Sequence, residues 1–144
     1  MTDLDAIRRD WAGKEFETAE FEIDQGRLVD WAVACGETDP RFTDPDHPDF
    51  QAHPNFAACL STGRMLPDGF PKIGSGFGID GGKTVEIHAP VRAGDTLTGQ
   101  ASIHDVYDKT GRSGTMVFVI HRMDFANQDG ETVSTVDSKM IRGV

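Results

Sequence analysis

Residues 36–55 hold the side chains whose types and spacing could do chemistry. Carboxylates stand at Glu37 and Asp39, and imidazoles at His47 and His53, with Gly36 before them and prolines among them. Carboxylate and imidazole groups are the usual carriers of protons in general acid–base catalysis. The stretch is dense in turn formers, and a loop of roughly twenty residues is more often functional than structural filler. This loop is therefore the first candidate for a site.

Two helical patterns flank the loop and would position it. Upstream, apolar residues at spacings of three and four predict a helix that Gly36 can end: Leu28, Trp31, Ala32 and Cys35. Downstream, Asn55 is a plausible N-cap, and the run Phe-Ala-Ala-Cys-Leu-Ser-Thr-Gly-Arg-Met at residues 56–65 predicts a helix rich in small side chains. Small side chains let other backbone approach closely, so this helix is expected at the centre of the domain.

The second half of the chain has the pattern of antiparallel strands. Alternating or β-rich runs at residues 85–91, 97–103, 116–125 and 132–141 are separated by turn sequences, and residues 74–82 form a glycine-rich connection. Residues 4–11 and 21–24 predict a short helix and a short strand. Helices followed by strands indicate an α+β fold, in which the sheet curls around the small-residue helix. We predict one domain over residues 1–144, with residues 1–15 as an N-terminal extension.

Composition excludes several classes of function. The formal net charge of −10 argues against nonspecific nucleic-acid binding, which needs a basic surface. No apolar run approaches the length of a membrane span, and the acidic N-terminus lacks the features of a signal peptide. Two cysteines do not make a disulfide framework, and no spacing resembles a metal site. We therefore expect a reduced, cytoplasmic protein with no metal and no resident cofactor.

Several motifs in order resemble the MaoC-like hot-dog family of hydratases and dehydratases. They are Ala-Pro-Val-Arg-Ala-Gly-Asp-Thr-Leu at residues 89–97, the hairpin at 105–114, the turn Asn-Gln-Asp-Gly at 127–130 and Trp-Ala-Val-Ala-Cys-Gly-Glu-Thr-Asp-Pro at 31–40. The resemblance covers about residues 16–141 and is nearest to the fatty-acid-synthase-like, N-terminal MaoC type. It implies a hot-dog fold and reversible hydration of a trans-2-enoyl thioester.

The same resemblance implies a site, and the sequence departs from it. Catalytic members carry Gly-Asp-x-Asn-Pro-x-His, where this chain has Gly-Glu-Thr-Asp-Pro-Arg-Phe at residues 36–42. Glu37 stands at the aspartate position and Phe42 at the histidine position, and a phenyl ring cannot transfer a proton. A rearranged site would need Glu37 with His47 or His53. We take Glu37 and His53 as the catalytic candidates.

The resemblance also suggests substrate contacts and a partner. Candidate substrate-binding residues are Asp39, Phe42, Asn55, Phe56, Lys109 and Arg112, the last two as partners for phosphates of CoA. The missing histidine favours a degenerate subunit, which shapes an acyl tunnel beside a second, catalytic MaoC-like chain. Two alternatives remain open: a homodimeric acyl-CoA-binding protein without turnover, and a hot-dog thioesterase. The acyl thioester, on CoA or on a carrier protein, is in each case the expected ligand.

Overall fold

The computed structural model describes residues 3–74 and 77–144. The first half of the chain holds α1 (Leu4–Trp11), β1 (Glu15–Glu22), α2 (Gln25–Ala34), α3 (Pro40–Thr43) and a 3₁₀ helix at Phe56–Cys59. The second half holds the strands β2 (Gly78–Ile87), β3 (Thr96–Gly111), β4 (Gly114–Ala126) and β5 (Thr132–Gly143). The helices lie in the first half and four of the five strands in the second, which confirms the predicted α+β class.

The five strands form one antiparallel sheet in the order β1-β3-β4-β5-β2. Alternate residues of β4, from Val117 through Val119 to Phe125, are buried, because this face of the sheet is covered by the helices and loops. We call it the concave face. Strand β2 lies at one edge, and nine of its ten residues are exposed.

The chain that covers the concave face packs into two apolar clusters. One gathers around Leu28 of α2, Phe56 and Phe125, and the other around Ile7 of α1, Ile103 and Val119. Each long helix starts at an aspartate cap: Asp3 accepts from the Ala6 amide and Asp24 from the Arg27 amide. The predicted helices at residues 4–11 and 28–35 are therefore confirmed.

The predicted helix at residues 56–65 is wrong. Only Phe56–Cys59 is helical, as a single 3₁₀ turn, and Leu60 already has extended backbone angles. Gly63 adopts a φ of +90°, which a helix cannot contain. Ser61 and Thr62 have weak helix propensity. The burial of Leu60, which the irregular backbone allows, therefore outweighs the local preference for a helix. The sheet therefore curls around irregular chain where a central helix was expected.

Other elements have different boundaries from those predicted. The N-terminal extension places Ile7 in an apolar cluster, and β1 is longer than the predicted strand at 21–24. The last part of the glycine-rich connection lies in β2, and its residues 75–76 fall outside the described residues. Within the described part of the chain, no helix has the length and apolarity to cross a membrane.

Candidate functional site

The loop after α2 and the segment before the 3₁₀ helix bring Glu37 and His53 together. His53 Nε2 lies 3.1 Å from Glu37 Oε2, although the two residues are sixteen positions apart. Their side chains are 18% and 26% exposed, so the pair lies near the surface without being fully solvated. His47 is not part of it, because its Nδ1 accepts from the Asp49 amide. The structure thus pairs the two catalytic candidates.

Both oxygens of the Glu37 carboxylate are engaged. Oε1 accepts from the backbone amides of Thr38 and Asp39, each at 2.9 Å, while Oε2 faces His53. These bonds, first from the Asp39 and Thr38 amides and then from His53, hold the pKa of Glu37 below its ordinary value. The carboxylate is therefore ionised at neutral pH and is a weak base.

Both ring nitrogens of His53 are engaged as well. Trp31 Nε1, which can only donate, lies 2.7 Å from Asn55 Oδ1, and this fixes which atom of the Asn55 amide is the oxygen. The same oxygen lies 2.6 Å from His53 Nδ1, so Nδ1 must carry a proton. The Asn55 backbone amide is also near Nδ1, but at 3.4 Å it is the weaker contact. Nε2 faces Glu37 Oε2 at 3.1 Å, so each ring nitrogen has an oxygen partner within the protein.

The result is a linear chain of hydrogen bonds that runs from Trp31 through Asn55 and His53 to Glu37, which we call the clasp. It ties α2 to the segment that precedes the 3₁₀ helix. Phe42, only 6% exposed, packs edge-on against the His53 ring with centroids 5.4 Å apart. The apolar position that replaces histidine in the motif thus seals one side of the imidazole.

A small cavity borders the clasp. Its volume is about 160 Å³, and its walls include Phe42, His53, Phe56, Ile87 and Ser134. Ligand pockets commonly measure about 300–1,000 Å³. This cavity alone is too small for an acyl thioester.

The remaining predicted site residues have other positions. Asp39 caps α3, where its carboxylate accepts from the Arg41 amide, and Phe56 is a core residue, 2% exposed. Lys109 lies over the rings of Tyr107 and Phe118 near the β3–β4 hairpin.

The hairpin is far from the clasp. Lys109 pairs with Met116 of β4, and Ser134, which lies beside the clasp, pairs with Phe125 of the same strand. Met116 and Phe125 are nine residues apart, and this length of strand is about 30 Å. Arg112 is at the tip of the same hairpin, between β3 and β4. The structure therefore does not bring Lys109 and Arg112 to the candidate site.

Sequence reasoning missed Trp31 as a member of the clasp. Trp31 is partly buried, and a tryptophan removed from water needs an acceptor for its N–H, which was the available signal. The acceptor is twenty-four residues away and only the fold identifies it. Within the described residues, no group of three or more potential ligands is arranged to hold a metal ion.

Comparison with known proteins agrees with this architecture. Residues 10–136 match the family described as "FAS1-like, dehydratase domain region". A UPF0336 protein of Streptomyces coelicolor is 26% identical over 148 aligned positions, covering 94% of this chain and 95% of that protein.

Solved structures show the same fold. A MaoC-like dehydratase from Phytophthora capsici superposes with a TM-score of 0.74 and 25% identity over 97% of this chain, which spans half of that protein. The HadBC (3R-hydroxyacyl-ACP dehydratase) complex from Mycobacterium tuberculosis superposes with a TM-score of 0.64 and 19% identity, over 92% of this chain and 93% of that one. This chain thus belongs to the FAS1-like dehydratase-domain family and has the hot-dog fold of the MaoC-like dehydratases.

Proposed function

We propose that this chain is the degenerate subunit of an enoyl-thioester hydratase or 3-hydroxyacyl-thioester dehydratase, paired with a second, catalytic hot-dog chain. The observation that carries the proposal is the clasp. Hydration needs a carboxylate and an imidazole with free positions for water and for the proton at the α-carbon. Here both His53 nitrogens and both Glu37 oxygens already have partners inside the protein.

The chain also offers few free hydrogen-bond donors for the oxygen of a thioester carbonyl. A thioester carbonyl is polarised by unpaired amides at the start of a helix. In this chain the helix is a single turn, and the Phe56 and Ala58 amides donate to the carbonyls of His53 and Asn55. Those two amides are therefore not free for a substrate oxygen, which supports a role in shaping the acyl site.

The free edge of the sheet supports pairing with another chain. Strand β2 offers ten residues of edge, and Ile79 and Ile87 are 40% and 46% exposed. A long exposed edge strand invites a second strand, and pairing across it would continue the sheet. Two solved neighbours, HadBC and the ChsH1-ChsH2 complex from Mycobacterium tuberculosis, are complexes by name. A second MaoC-like chain, or a second copy of this one, is the proposed partner.

A second candidate function is favoured by one observation. The 3.1 Å contact between Glu37 and His53 places a carboxylate beside an imidazole that lines the small cavity. If His53 turned away from Asn55, the pair could serve as the acid–base pair of a hydratase in this chain alone.

Enoyl-CoA hydration by three samples separates the two functions: this chain, a catalytic hot-dog chain, and the two co-expressed. The degenerate-subunit proposal expects turnover of crotonyl-CoA to need the pair of chains, and Glu37→Gln to change it by less than about threefold. The second function expects turnover by this chain alone and a loss of about 10² or more in Glu37→Gln. Release of free thiol in place of hydration would instead identify a thioesterase and refute both.

A further inference from the structure

A row of polar side chains crosses the middle of the concave face. His121 of β4 pairs with Ser138 of β5, and Ser138 pairs with Lys83 of β2. On the other side, Glu17 of β1 pairs with Ala101 of β3, two residues from the Ile103 that pairs with His121. Paired residues of antiparallel strands share a face, so Lys83, Ser138 and His121 lie on one line across the sheet, and Glu17 lies on the same face two residues away from that line.

One side chain of this row and one oxygen of another are buried without a hydrogen-bond partner among the described residues. His121 is 3% exposed, and neither of its ring nitrogens has such a partner. Oε2 of Glu17 is likewise buried and unbonded, although the Glu17 side chain as a whole is 23% exposed, and Ser138 is 7% exposed. Burial, and next the nearby Lys83 ammonium, lower the pKa of His121, so its ring is neutral at pH 7. Such unpaired groups are costly, so each one in a folded protein calls for an explanation, and a ligand that supplies the missing hydrogen bonds is one.

Residues 58–65, which we call the strap, cover the row. Lys83 Nζ donates to the Ala58 carbonyl at 2.8 Å, and Arg64 lies 3.5 Å from Glu17. The strap is therefore attached to the row near its two ends, to Lys83 of β2 at one end and to Glu17 of β1 at the other.

The middle of the strap does not supply hydrogen bonds to the polar row. Among the hydrogen bonds of residues 3–74 and 77–144, none joins residues 60–63 to His121 or Ser138. Leu60 is held in the apolar core at 3% exposed, whereas Ser61, Gly63 and Arg64 are exposed and the Arg64–Glu17 ion pair is partly exposed. Moving residues 61–64 while Leu60 stays in place is therefore the low-cost way to expose the row.

Two cavities with apolar walls lie beside the polar row. A cavity of about 470 Å³ is lined by Met65, Lys83, Ser138 and Met140, and Met140 also lines an adjoining cavity of about 410 Å³ with Leu66 and Phe70 among its walls. An alkyl chain lying along Met140 would bring one of its carbons next to Ser138 and His121.

We propose that His121 and Ser138, at the centre of the polar row, form a binding subsite for a hydroxyl group carried on an acyl chain, uncovered when residues 61–64 of the strap move aside. A neutral imidazole offers one donor and one acceptor, and the Ser138 hydroxyl can do either. Because His121 and Ser138 are paired on adjacent strands, about 5 Å apart, one alcohol, which donates one hydrogen bond and accepts two, can reach both. Ser138 is four residues along β5 from the Ser134 that borders the clasp, about 13 Å, so the hydroxyl is far from the clasp.

This inference rests on the proposed acyl ligand, and binding of free fatty acids to the purified full chain tests it. The probes are saturated fatty acids of one length, either unsubstituted or with a hydroxyl at successive carbons, measured by calorimetry. We expect one isomer to bind at least about tenfold more tightly than the unsubstituted acid, because a site built for a hydroxyl leaves its polar groups unpaired without one.

Variants of His121 show whether the row is responsible. His121→Leu should abolish the preference and raise the Tm of the unliganded chain, since it removes an unpaired buried group. His104→Leu, on an exposed position of β3, is the matched control and should keep the preference. His121→Gln, which keeps a donor and an acceptor, should retain part of it.

Two outcomes would overturn the subsite: equal binding of every isomer and the unsubstituted acid, or a preference that survives in His121→Leu. The imidazole ¹⁵N signals give a second measurement, in which the preferred isomer must shift those of His121. Failure of partner-dependent hydration with the hydroxyl preference intact would refute the proposed function and leave the subsite standing. The reverse result would refute the subsite alone.

Discussion

Truncating Asn55 tests the clasp directly. Its side-chain oxygen accepts from Trp31 Nε1 and from His53 Nδ1, and it makes no capping bond to the 3₁₀ helix. Asn55→Ala therefore removes the acceptor of two donors that are only partly reachable by water. Each such neutral hydrogen bond contributes about 0.5–1.5 kcal/mol net, so the free energy of unfolding should fall by about 1–3 kcal/mol.

A double-mutant cycle isolates one bond of the clasp. Trp31→Phe, Asn55→Ala and the double variant are unfolded in urea at pH 7, and the coupling between the two positions is calculated from the four free energies. We expect a coupling of about 1 kcal/mol, because either single change already breaks the Trp31–Asn55 bond. The packing that Trp31→Phe loses against Phe56 appears in both backgrounds and cancels.

Asn55→Asp is the matched control, since a carboxylate oxygen can accept from the same two donors. It should keep most of the stability that Asn55→Ala loses. A coupling below about 0.3 kcal/mol, within the error of additivity, would refute the clasp as a stabilising network. So would an Asn55→Asp variant as unstable as Asn55→Ala.

Three further predictions concern the core, the pH dependence and the sheet. Leu28→Ala, at a fully buried position of α2, should lower the free energy of unfolding by about 2–5 kcal/mol, whereas Val33→Ala, 59% exposed on the same helix, should change it by less than about 0.5 kcal/mol in urea titrations. The pKa of His121 is below its ordinary 6.5 in the folded chain, so the unfolded chain takes up the proton first and stability should fall as pH drops below about 6.5. Thermal unfolding from pH 7.5 to 5 must show a smaller fall in His121→Leu, and an equal fall would contradict this. Gly99→Ala should cost about 1–3 kcal/mol, because its Cβ would lie 2.7–3.1 Å from three packed side chains of the concave face, while Gly111→Ala meets nothing within 4 Å and should be neutral by the same denaturant assay.

Local patterns predicted the elements that depend on local chemistry. Helix α2 follows from apolar residues spaced at three and four, and the hairpins follow from turn sequences between alternating runs. The pairing of Glu37 with His53 was one of two arrangements that the loop allowed, and the structure selects it over His47.

The sequence by itself determined the α+β class, the order of the strands along the chain and the absence of histidine at Phe42, because these depend on residue type and short-range spacing. Only the tertiary structure decided that residues 56–65 leave the helix after one turn, since the burial of Leu60 in the core outweighs weak helix propensity. It also decided that Trp31 orients Asn55, and that His121 shares a buried row with Glu17 and Ser138. Those contacts join residues far apart in the chain, and no local preference encodes them.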